Sequence, residues 1–237
     1  MNFAGWTIYT NLARMNGFAG MQDYSAWKAV SPVLVLGVVA GGYLLGCVST
    51  GYYLVRARTG KDIRQMGSGS TGARNVGRVL GSSGFAFTLA GDLAKGGVAV
   101  WLAMALTGSR QVGLAALLAV VVGHVWPAQL RFHGGKGVAT SLAGLLMFDC
   151  WLALIYCVAF GLVFAICRRA VASSLVAYLL LPVGAYLCSK DALETLGISI
   201  LAVIVLIAHH SNVMEAMNPL LTRRNLQAGP EPPVKEI

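Results

Sequence analysis

Long apolar runs separated by short polar segments fill the sequence from Pro32 to Ala208. Hydrophobic residues make up 57% of the 237 residues and charged residues only 11%, less than half of the roughly 25% that is typical of a soluble domain. An α-helix needs about 20 predominantly apolar residues to cross the hydrocarbon core of a bilayer. The sequence therefore predicts an all-α polytopic membrane protein and excludes a soluble globular domain.

We expect seven transmembrane helices, one for each apolar run. The fourth and fifth runs are near or below full crossing length and are interpreted as a pair of short spans. The seven runs are Val33–Val55, Phe85–Leu106, Val112–Leu130, Val138–Phe148, Trp151–Ile166, Ser174–Leu187 and Leu193–Ala208. They define one membrane domain, residues 31–212, between an N-terminal extension, residues 1–30, and a cytoplasmic tail, residues 213–237.

The N-terminal extension carries aromatic residues but not the basic and then apolar pattern of a signal peptide. Trp6, Tyr9, Tyr24 and Trp27 suit the interface between membrane and water, where aromatic rings are enriched. A poorly ordered terminus is an equally good interpretation of the same residues. The tail ends in GPEPPVKEI, a composition typical of disorder.

The basic residues predict how the chain is oriented in the membrane. Six cations lie between Arg56 and Arg78, and further pairs follow the third, fifth and seventh runs, whereas the opposite ends of the runs carry few. Because basic residues concentrate on the cytoplasmic side, we expect the N-terminus outside, the C-terminus in the cytoplasm and the polar segments after the first and third runs on the cytoplasmic face. Orientation accounts for the net charge of +9, so no nucleic-acid partner is predicted.

A first glycine loop, MGSGSTGARNVGRVLG, covers Met66–Gly81 and is of a kind that binds phosphate. Glycine lets backbone amides approach an anion, serine and asparagine add neutral donors, and arginine offers a planar fork to phosphate oxygens. The residues expected at the phosphate are Gly67, Gly69, Ser70, Gly72, Asn75, Arg74 and Arg78. The order is neither a Walker A loop nor a dinucleotide fingerprint, and a flexible connection is the alternative.

A second glycine loop, FHGGKGVAT, covers Phe132–Thr140 and places Lys136 among glycines. Gly134, Gly135 and Gly137 leave the ammonium and the neighbouring amides open to an anion, and the apolar run that follows supplies a helix N-terminus with partial positive charge. The alternative is a lysine that only snorkels to the membrane boundary, which does not require three glycines. The pattern favours an anion site.

Polar residues also occur inside or at the end of apolar runs. Asp92 and Lys95 are spaced i, i+3 on one helical face, where they either serve a functional site or neutralise one another between spans. His209 and Asn212 share a face at the cytoplasmic end of the last run, and the imidazole is a candidate general base or hydrogen-bond donor. No spacing typical of a metal site occurs, so neither a metal nor another cofactor is predicted.

Four pieces of the sequence together resemble the bacterial glycerol-3-phosphate acyltransferases that use acyl phosphate as donor, the PlsY family. They are GKDIRQMGSGSTGARNVGRVLG (Gly60–Gly81), DLAKGG (Asp92–Gly97), GHVWPAQLRFHGGKGVAT (Gly123–Thr140) and HHSN (His209–Asn212). The resemblance implies seven spans, an outside N-terminus and a cytoplasmic active site in the bacterial inner membrane. It also implies acyl transfer from acyl phosphate to the sn-1 hydroxyl of glycerol 3-phosphate, the first step of bacterial phospholipid synthesis.

The resemblance further implies which residues act. Ser68, Arg78, Lys136, Ser174, His209 and Asn212 correspond to catalytic positions, and Asp92 and Lys95 are expected to support the site. Ser70 and Arg74 stand where the family usually has asparagine and threonine. Ser174 and its neighbour Ser173 also suit a helix N-cap.

An acyl phosphate is a mixed anhydride, so its reaction needs positioning and charge stabilisation more than a protein nucleophile. We expect direct transfer, in which Lys136 and Arg78 hold phosphates and either His209 or a substrate phosphate takes the hydroxyl proton. The acyl chain would lie between spans or in membrane lipid. The competing hypothesis is a transporter of a phosphorylated metabolite, which predicts broken helices and a site near the bilayer midplane.

Overall fold

The computed structural model describes residues 26–189 and 191–210, together with Met214. Every regular element in these residues is helical, which confirms the all-α class. The α-helices are α1 (Pro32–Cys47), α2 (Thr50–Thr59), α3 (Ala73–Thr107), α4 (Arg110–Val125), α5 (Val138–Phe148), α6 (Cys150–Cys167), α7 (Ala170–Ser189) and α8 (Ala192–Ala208). Most of the N-terminal extension, Asn212 and the tail apart from Met214 lie outside the described residues.

Five segments of the described chain are long and apolar enough to cross a bilayer. They are Pro32–Thr59, Ala73–Thr107, Arg110–Leu130, Cys150–Cys167 and Ala170–Cys188. Large apolar side chains such as Val33, Leu162 and Ile166 point outward, as expected for helices that face lipid, and the polytopic membrane class is confirmed. Because α5 has 11 residues and α8 has 17, the count of seven crossings stays a prediction.

The first apolar run is broken in the middle. α1 ends at Cys47 and α2 begins at Thr50, with Val48 in an extended conformation between them. The side chain of Gln129 donates a hydrogen bond to the Cys47 carbonyl, and Lys95 Nζ donates to the Val48 carbonyl at 2.9 Å. The predicted span Val33–Val55 therefore consists of two helices rather than one, and polar side chains of neighbouring segments satisfy the backbone groups that the break exposes.

The second half of the first glycine loop is helical rather than irregular. α3 begins at Ala73, and only Gly81, with φ 73° and ψ −164°, interrupts its 35 residues. Val76 on the first turn is fully buried in a small apolar cluster with Val55 and Ile63. The prediction of a loop as far as Gly81 was therefore wrong, because this buried apolar contact holds the glycine-containing turns in a helix.

α4 is the central helix of the bundle. In Arg110–Leu130, 67% of the most apolar stretch is buried, compared with 22% in Pro32–Thr59. α4 packs against α1, α3, α5 and α8, and Leu117, Val120 and Val121 lie at its buried faces. The last turn of α4, from which the second glycine loop departs, is consequently fixed by its neighbours.

An ion network joins several helices at the end of the bundle opposite the glycine loops. Arg110 Nε lies 2.7 Å from Glu194 Oε1, and Arg110 Nη2 lies 3.2 Å from Asp149 Oδ2. The guanidinium also lies 4.6 Å from the ring centre of Phe148. One arginine thus ties the start of α4 to the α5–α6 junction and to the first turn of α8.

Gly96→Ala should destabilise the packing of α3 on α5. A Cβ at Gly96 would lie 2.0 Å from the Thr140 carbonyl oxygen, so the two helices would have to separate, at a cost of about 1–3 kcal/mol. Thermal unfolding in detergent measures the loss. Gly37→Ala is the matched control, since no atom lies within 4 Å of the new methyl group. Equal melting temperatures for the two variants would show that the close α3–α5 contact contributes nothing.

Candidate active site

The first glycine loop is folded around the side chain of Asn75. Asn75 is 2% exposed; its Oδ1 accepts a hydrogen bond from the Ser68 amide, and its Nδ2 donates to the carbonyls of Met66 and Ser70, each at 2.9 Å. Gly67 and Gly69 have φ of 55° and 68°, a region that glycine adopts without strain. Asn75 therefore shapes the loop, and the Ser68 side chain projects from it into solvent.

The non-helical part of this loop ends at Gly72, and α3 begins at the next residue. The Ser70 hydroxyl accepts a hydrogen bond from the Gly72 amide at 3.2 Å, and Gly72 is the residue before the helix. Arg74 and Arg78 are exposed and lie one turn apart on α3. A cation in the first turn is disfavoured by the helix dipole. A bound anion would offset that cost, which is the situation expected of a phosphate site.

The second glycine loop returns along the last turn of α4. The amides of Gly134 and Gly135 donate to the carbonyls of Val125 and His124 at 3.1 and 3.0 Å. The contact requires glycine, because a Cβ at Gly135 would lie 2.0 Å from His124 Nε2. Gly137, with φ 82°, is the residue before α5. Lys136 is partly buried at this helix start, where backbone amides and the dipole favour an anion.

Direct contacts join the two loops. The Thr71 amide donates to the Gly134 carbonyl at 3.3 Å, and Arg64 Nη1 donates to the Leu130 carbonyl at 2.6 Å. Arg64 is itself held by Asp62, 2.6 Å away, whose hydrogen bonds from the guanidinium keep the pKa of the carboxyl below its usual range. Sequence reasoning missed this role of Arg64, which it counted only as a cytoplasmic cation, and it missed Thr71 altogether.

His209 follows the last turn of α8, and this turn lies beside the second loop. A Cβ on Gly137 would be 3.6 Å from the Val205 side chain, one turn before His209. His209 is 3% exposed, and its Nδ1 donates to the Val205 carbonyl at 2.8 Å. A ring that donates from Nδ1 carries its lone pair on Nε2 when neutral.

The surroundings of His209 favour the neutral form of its ring. Burial lowers the pKa of His209, and the positive charges of Lys136 and Arg74 lower it further, against the opposing effect of the hydrogen bond to Val205. The contacts of Thr71 with Gly134 and of Gly137 with Val205 bring the start of α3, the second loop and the end of α8 together. The arrangement can hold anionic groups next to a neutral proton acceptor.

Ser174 lies beside this region but points into the bundle. Its hydroxyl is 2.9 Å from the Tyr156 hydroxyl, and Ser173 donates to the Arg169 carbonyl. One turn further along α7, the Tyr178 hydroxyl is hydrogen-bonded to Ser141 on the first turn of α5. Ser174 is thus one helical turn from Tyr178, which contacts the first turn of α5, the helix that follows Lys136. Asn212, predicted beside His209, lies outside the described residues.

The match to known proteins covers most of the chain. Residues 36–219 match the family described as glycerol-3-phosphate acyltransferase. Glycerol-3-phosphate acyltransferase 1 of Desulfitobacterium hafniense strain Y51 is 42% identical over 187 residues, which are 79% of this chain and 93% of the relative. The corresponding protein of Gloeobacter violaceus is 45% identical over 159 residues, 65% of this chain and 77% of the relative. The chain belongs to the glycerol-3-phosphate acyltransferase family.

Solved structures agree with this assignment. The crystal structure of PlsY, an integral membrane glycerol 3-phosphate acyltransferase, in its glycerol 3-phosphate form has a TM-score of 0.71 and 27% identity, covering 77% of this chain and 92% of that chain. The lysophosphatidic acid form of PlsY gives a TM-score of 0.69 with 25% identity, covering 77% and 91% of the two chains. The resemblance to the PlsY family that the motifs indicate is confirmed.

Proposed function

We propose that the protein transfers a fatty acyl group from acyl phosphate to the sn-1 hydroxyl of glycerol 3-phosphate, giving lysophosphatidic acid and phosphate. The main support is geometric: the two glycine loops meet through Thr71 and Gly134 where α3 and α5 begin, and the end of α8 packs beside Gly137, which brings Arg74, Lys136 and His209 to one end of the bundle. Both substrates carry phosphate, and the two helix N-termini with their cations suit two such groups. PlsY has been crystallised in forms that carry glycerol 3-phosphate and lysophosphatidic acid.

The proposed reaction is a direct displacement at the acyl carbon. The sn-1 hydroxyl oxygen attacks the acyl carbonyl, the bond from that carbon to the phosphate oxygen breaks, and the phosphate leaves with the electron pair. Lys136 and Arg78, with the Ser68 hydroxyl and the N-termini of α3 and α5, stabilise the phosphates and the charge that develops on the leaving group. His209, with Asn212 and Ser174 as further members of the site, lies on the side of the attacking hydroxyl. No metal or other cofactor takes part, and activity should persist in a chelator.

The hydroxyl proton passes either to His209 Nε2 or to an oxygen of a substrate phosphate. The hydrogen bond from Nδ1 to Val205 favours His209, since it fixes the tautomer that a base requires. A phosphate with a pKa of about 6 is the other acceptor. The two acceptors give different pH profiles when His209 is replaced.

If His209 is the base, the acid limb of the rate profile should lie below pH 6.5, because burial and nearby cations lower the pKa of the ring. The ring then stays neutral, and able to accept a proton, at pH values where an ordinary histidine is already charged. His209→Asn keeps a donor for Val205 but removes the base, and kcat should fall by about 10²–10⁴-fold with loss of the acid limb. Initial rates between pH 5 and 8, a range that brackets the ordinary histidine pKa of about 6.5, give the profile. A variant that retains the limb and most of the rate would assign the proton to the substrate phosphate.

We further propose seven crossings of the bacterial inner membrane, with the N-terminus outside and the active site and C-terminus on the cytoplasmic face. The contacts between the two loops and the position of His209 bring the ends of α2, α4 and α8 to one end of the bundle. That end carries Arg56, Arg58 and Lys61, as expected of a cytoplasmic face. Labelling of single cysteines from either side of inverted vesicles tests the orientation.

A transporter of phosphorylated metabolites would also use a basic site among helices. The break at Val48–Ser49 is a feature that this hypothesis predicts. Its carbonyls, however, are occupied by Gln129 and Lys95, and the cations of the candidate site lie at one end of the bundle. Counterflow in proteoliposomes without acyl donor distinguishes the two functions, and we expect none.

The donor assay tests the proposed function directly. Purified protein is given labelled glycerol 3-phosphate with acyl phosphate, acyl-CoA or acylated acyl carrier protein as donor. We expect 1-acyl lysophosphatidic acid and inorganic phosphate in equal amounts from acyl phosphate alone. Turnover only with acyl-CoA or acylated acyl carrier protein would overturn acyl phosphate as the donor, and a 2-acyl product would overturn transfer to the sn-1 hydroxyl.

A further inference from the structure

A buried polar cluster inside the bundle connects the two halves of the candidate site. Lys95 Nζ lies 2.9 Å from Asp92 Oδ1, and each side chain is 4% exposed. His124 Nδ1 lies 3.6 Å from the same carboxylate oxygen. Asp92 and Lys95 belong to α3, and His124 to the last turn of α4. The three side chains therefore form one cluster between two helices.

One end of the cluster fixes the break in the first apolar run. Lys95 Nζ donates to the Val48 carbonyl at 2.9 Å. The helix that starts after the break packs directly on the first glycine loop, since a Cβ at Gly51 would lie 2.2 Å from the Thr71 carbonyl. The position of Val48 thus determines where α2 meets that loop.

The other end of the cluster fixes the second glycine loop. The His124 carbonyl accepts the Gly135 amide at 3.0 Å, and the His124 ring fills the space that a Gly135 side chain would need. Lys136 is the next residue. A rotation of the His124 ring, which faces the Asp92 carboxylate, would move the backbone that carries the Lys136 ammonium.

We propose that Asp92, Lys95 and His124 are positioning residues, which set the relative placement of the two glycine loops through Val48 and Gly135. A buried ion pair is not needed for stability alone, because an apolar pair of the same volume packs at similar or lower cost. The backbone oxygen at Val48 needs a donor, and the ring beside Gly135 needs a fixed orientation. The expected change in kcat rests on the proposed function, whereas the expected placement of the two glycine loops does not.

The decisive variant removes both charges together. Asp92→Asn or Lys95→Met alone leaves an uncompensated buried charge and should lower the melting temperature and kcat. The double variant Asp92→Asn/Lys95→Met is neutral and similar in volume, so its melting temperature should return towards that of the wild type. It lacks the donor to Val48, so kcat should remain about 10- to 100-fold low. The KM for glycerol 3-phosphate should change less than kcat, because a flexible lysine still reaches a ground-state phosphate.

Two further variants separate positioning from stability. Glu194→Gln removes a buried charge from the network at the opposite end of the bundle, and should lower the melting temperature without lowering kcat. His124→Gln leaves both ions in place but removes the ring from Gly135, and should lower kcat in a folded protein. Wild-type kcat in the double variant or in His124→Gln would overturn the proposal. A fall of kcat in Glu194→Gln in proportion to its lower melting temperature would also overturn it, because kcat would then follow stability and not the position of the loops.

Hydrogen exchange gives a readout that requires no substrate. The amides of Gly134 and Gly135 should exchange at least about tenfold faster in the double variant and in His124→Gln than in the wild type, because the His124 ring that packs against Gly135 is then free to rotate or absent. Unchanged exchange would overturn the positioning role whatever the enzyme's activity. Failure of wild-type turnover with every donor would instead reject the proposed function, so the two failures are distinct.

Discussion

Lys136→Ala is expected to reduce turnover by about 10³-fold or more while leaving the bundle folded. The ammonium lies at the start of α5 and within electrostatic reach of His209, where it would stabilise the charge that develops on the leaving phosphate. Because Lys136 is partly exposed and precedes the helix, its truncation should cost little stability. Initial rates of lysophosphatidic acid formation and thermal unfolding in the same detergent measure the two effects.

Lys61→Ala is the matched control for this prediction. Lys61 is an exposed lysine in the segment just before the first glycine loop, and its loss makes the same change in net charge. We expect its rate to stay within about twofold of the wild type. An equal loss of rate in both variants would mean that Lys136 acts only by general electrostatic attraction of anionic substrates. Wild-type turnover in Lys136→Ala would show that the leaving phosphate is stabilised by other groups.

Arg110→Met should lower the free energy of unfolding by about 3–5 kcal/mol without changing kcat of the folded enzyme. The Arg110, Asp149 and Glu194 side chains are 14%, 7% and 2% exposed. Without the guanidinium, two carboxylates remain largely out of water and repel one another. The lost interactions lie at the end of the bundle opposite the glycine loops, so kcat of the folded enzyme should not change. Thermal unfolding and rates corrected for the folded fraction separate stability from catalysis.

Arg58→Met is the control for the arginine network, because Arg58 is exposed near the end of α2. We expect a change within about 0.5 kcal/mol. Adding Glu194→Gln to Arg110→Met should restore part of the lost stability, since one of the two uncompensated charges is removed. If Arg110→Met and Arg58→Met have the same melting temperature, the arginine network does not stabilise the fold.

The membrane class could be predicted because apolar runs and flanking cations are properties of continuous stretches of sequence. The break at Val48–Ser49 could not, because the groups that permit it come from far along the chain. Lys95 is 47 residues from Val48, and Gln129 is 82 residues from Cys47. Val48 and Ser49 themselves read as part of an apolar run. Only the packing of three helices shows that their backbone groups have partners.

The candidate site was predictable in its composition more than in its internal contacts. Lys136 and His209 were singled out because cations, glycines and an imidazole at run ends carry chemistry by their nature. Asn75 was expected at the phosphate, yet its amide holds the carbonyls of Met66 and Ser70. A buried amide must find partners, and those of its own loop are nearest. Residue type alone does not distinguish a donor to a ligand from a donor to the backbone.

The shortness of α5 has a consequence for how two unlike substrates meet. Eleven residues measure about 16 Å, roughly half of the 30 Å hydrocarbon core, so α5 alone does not reach across it, and Lys136 at its start stays at the end of the bundle where the two glycine loops meet. In the proposed reaction, glycerol 3-phosphate reaches this end of the bundle from water while the acyl chain stays among lipid tails. Glycerol 3-phosphate thus stays in contact with water, and the acyl chain with lipid, until the ester bond forms. The product is then already oriented like a leaflet lipid, with its phosphate towards water.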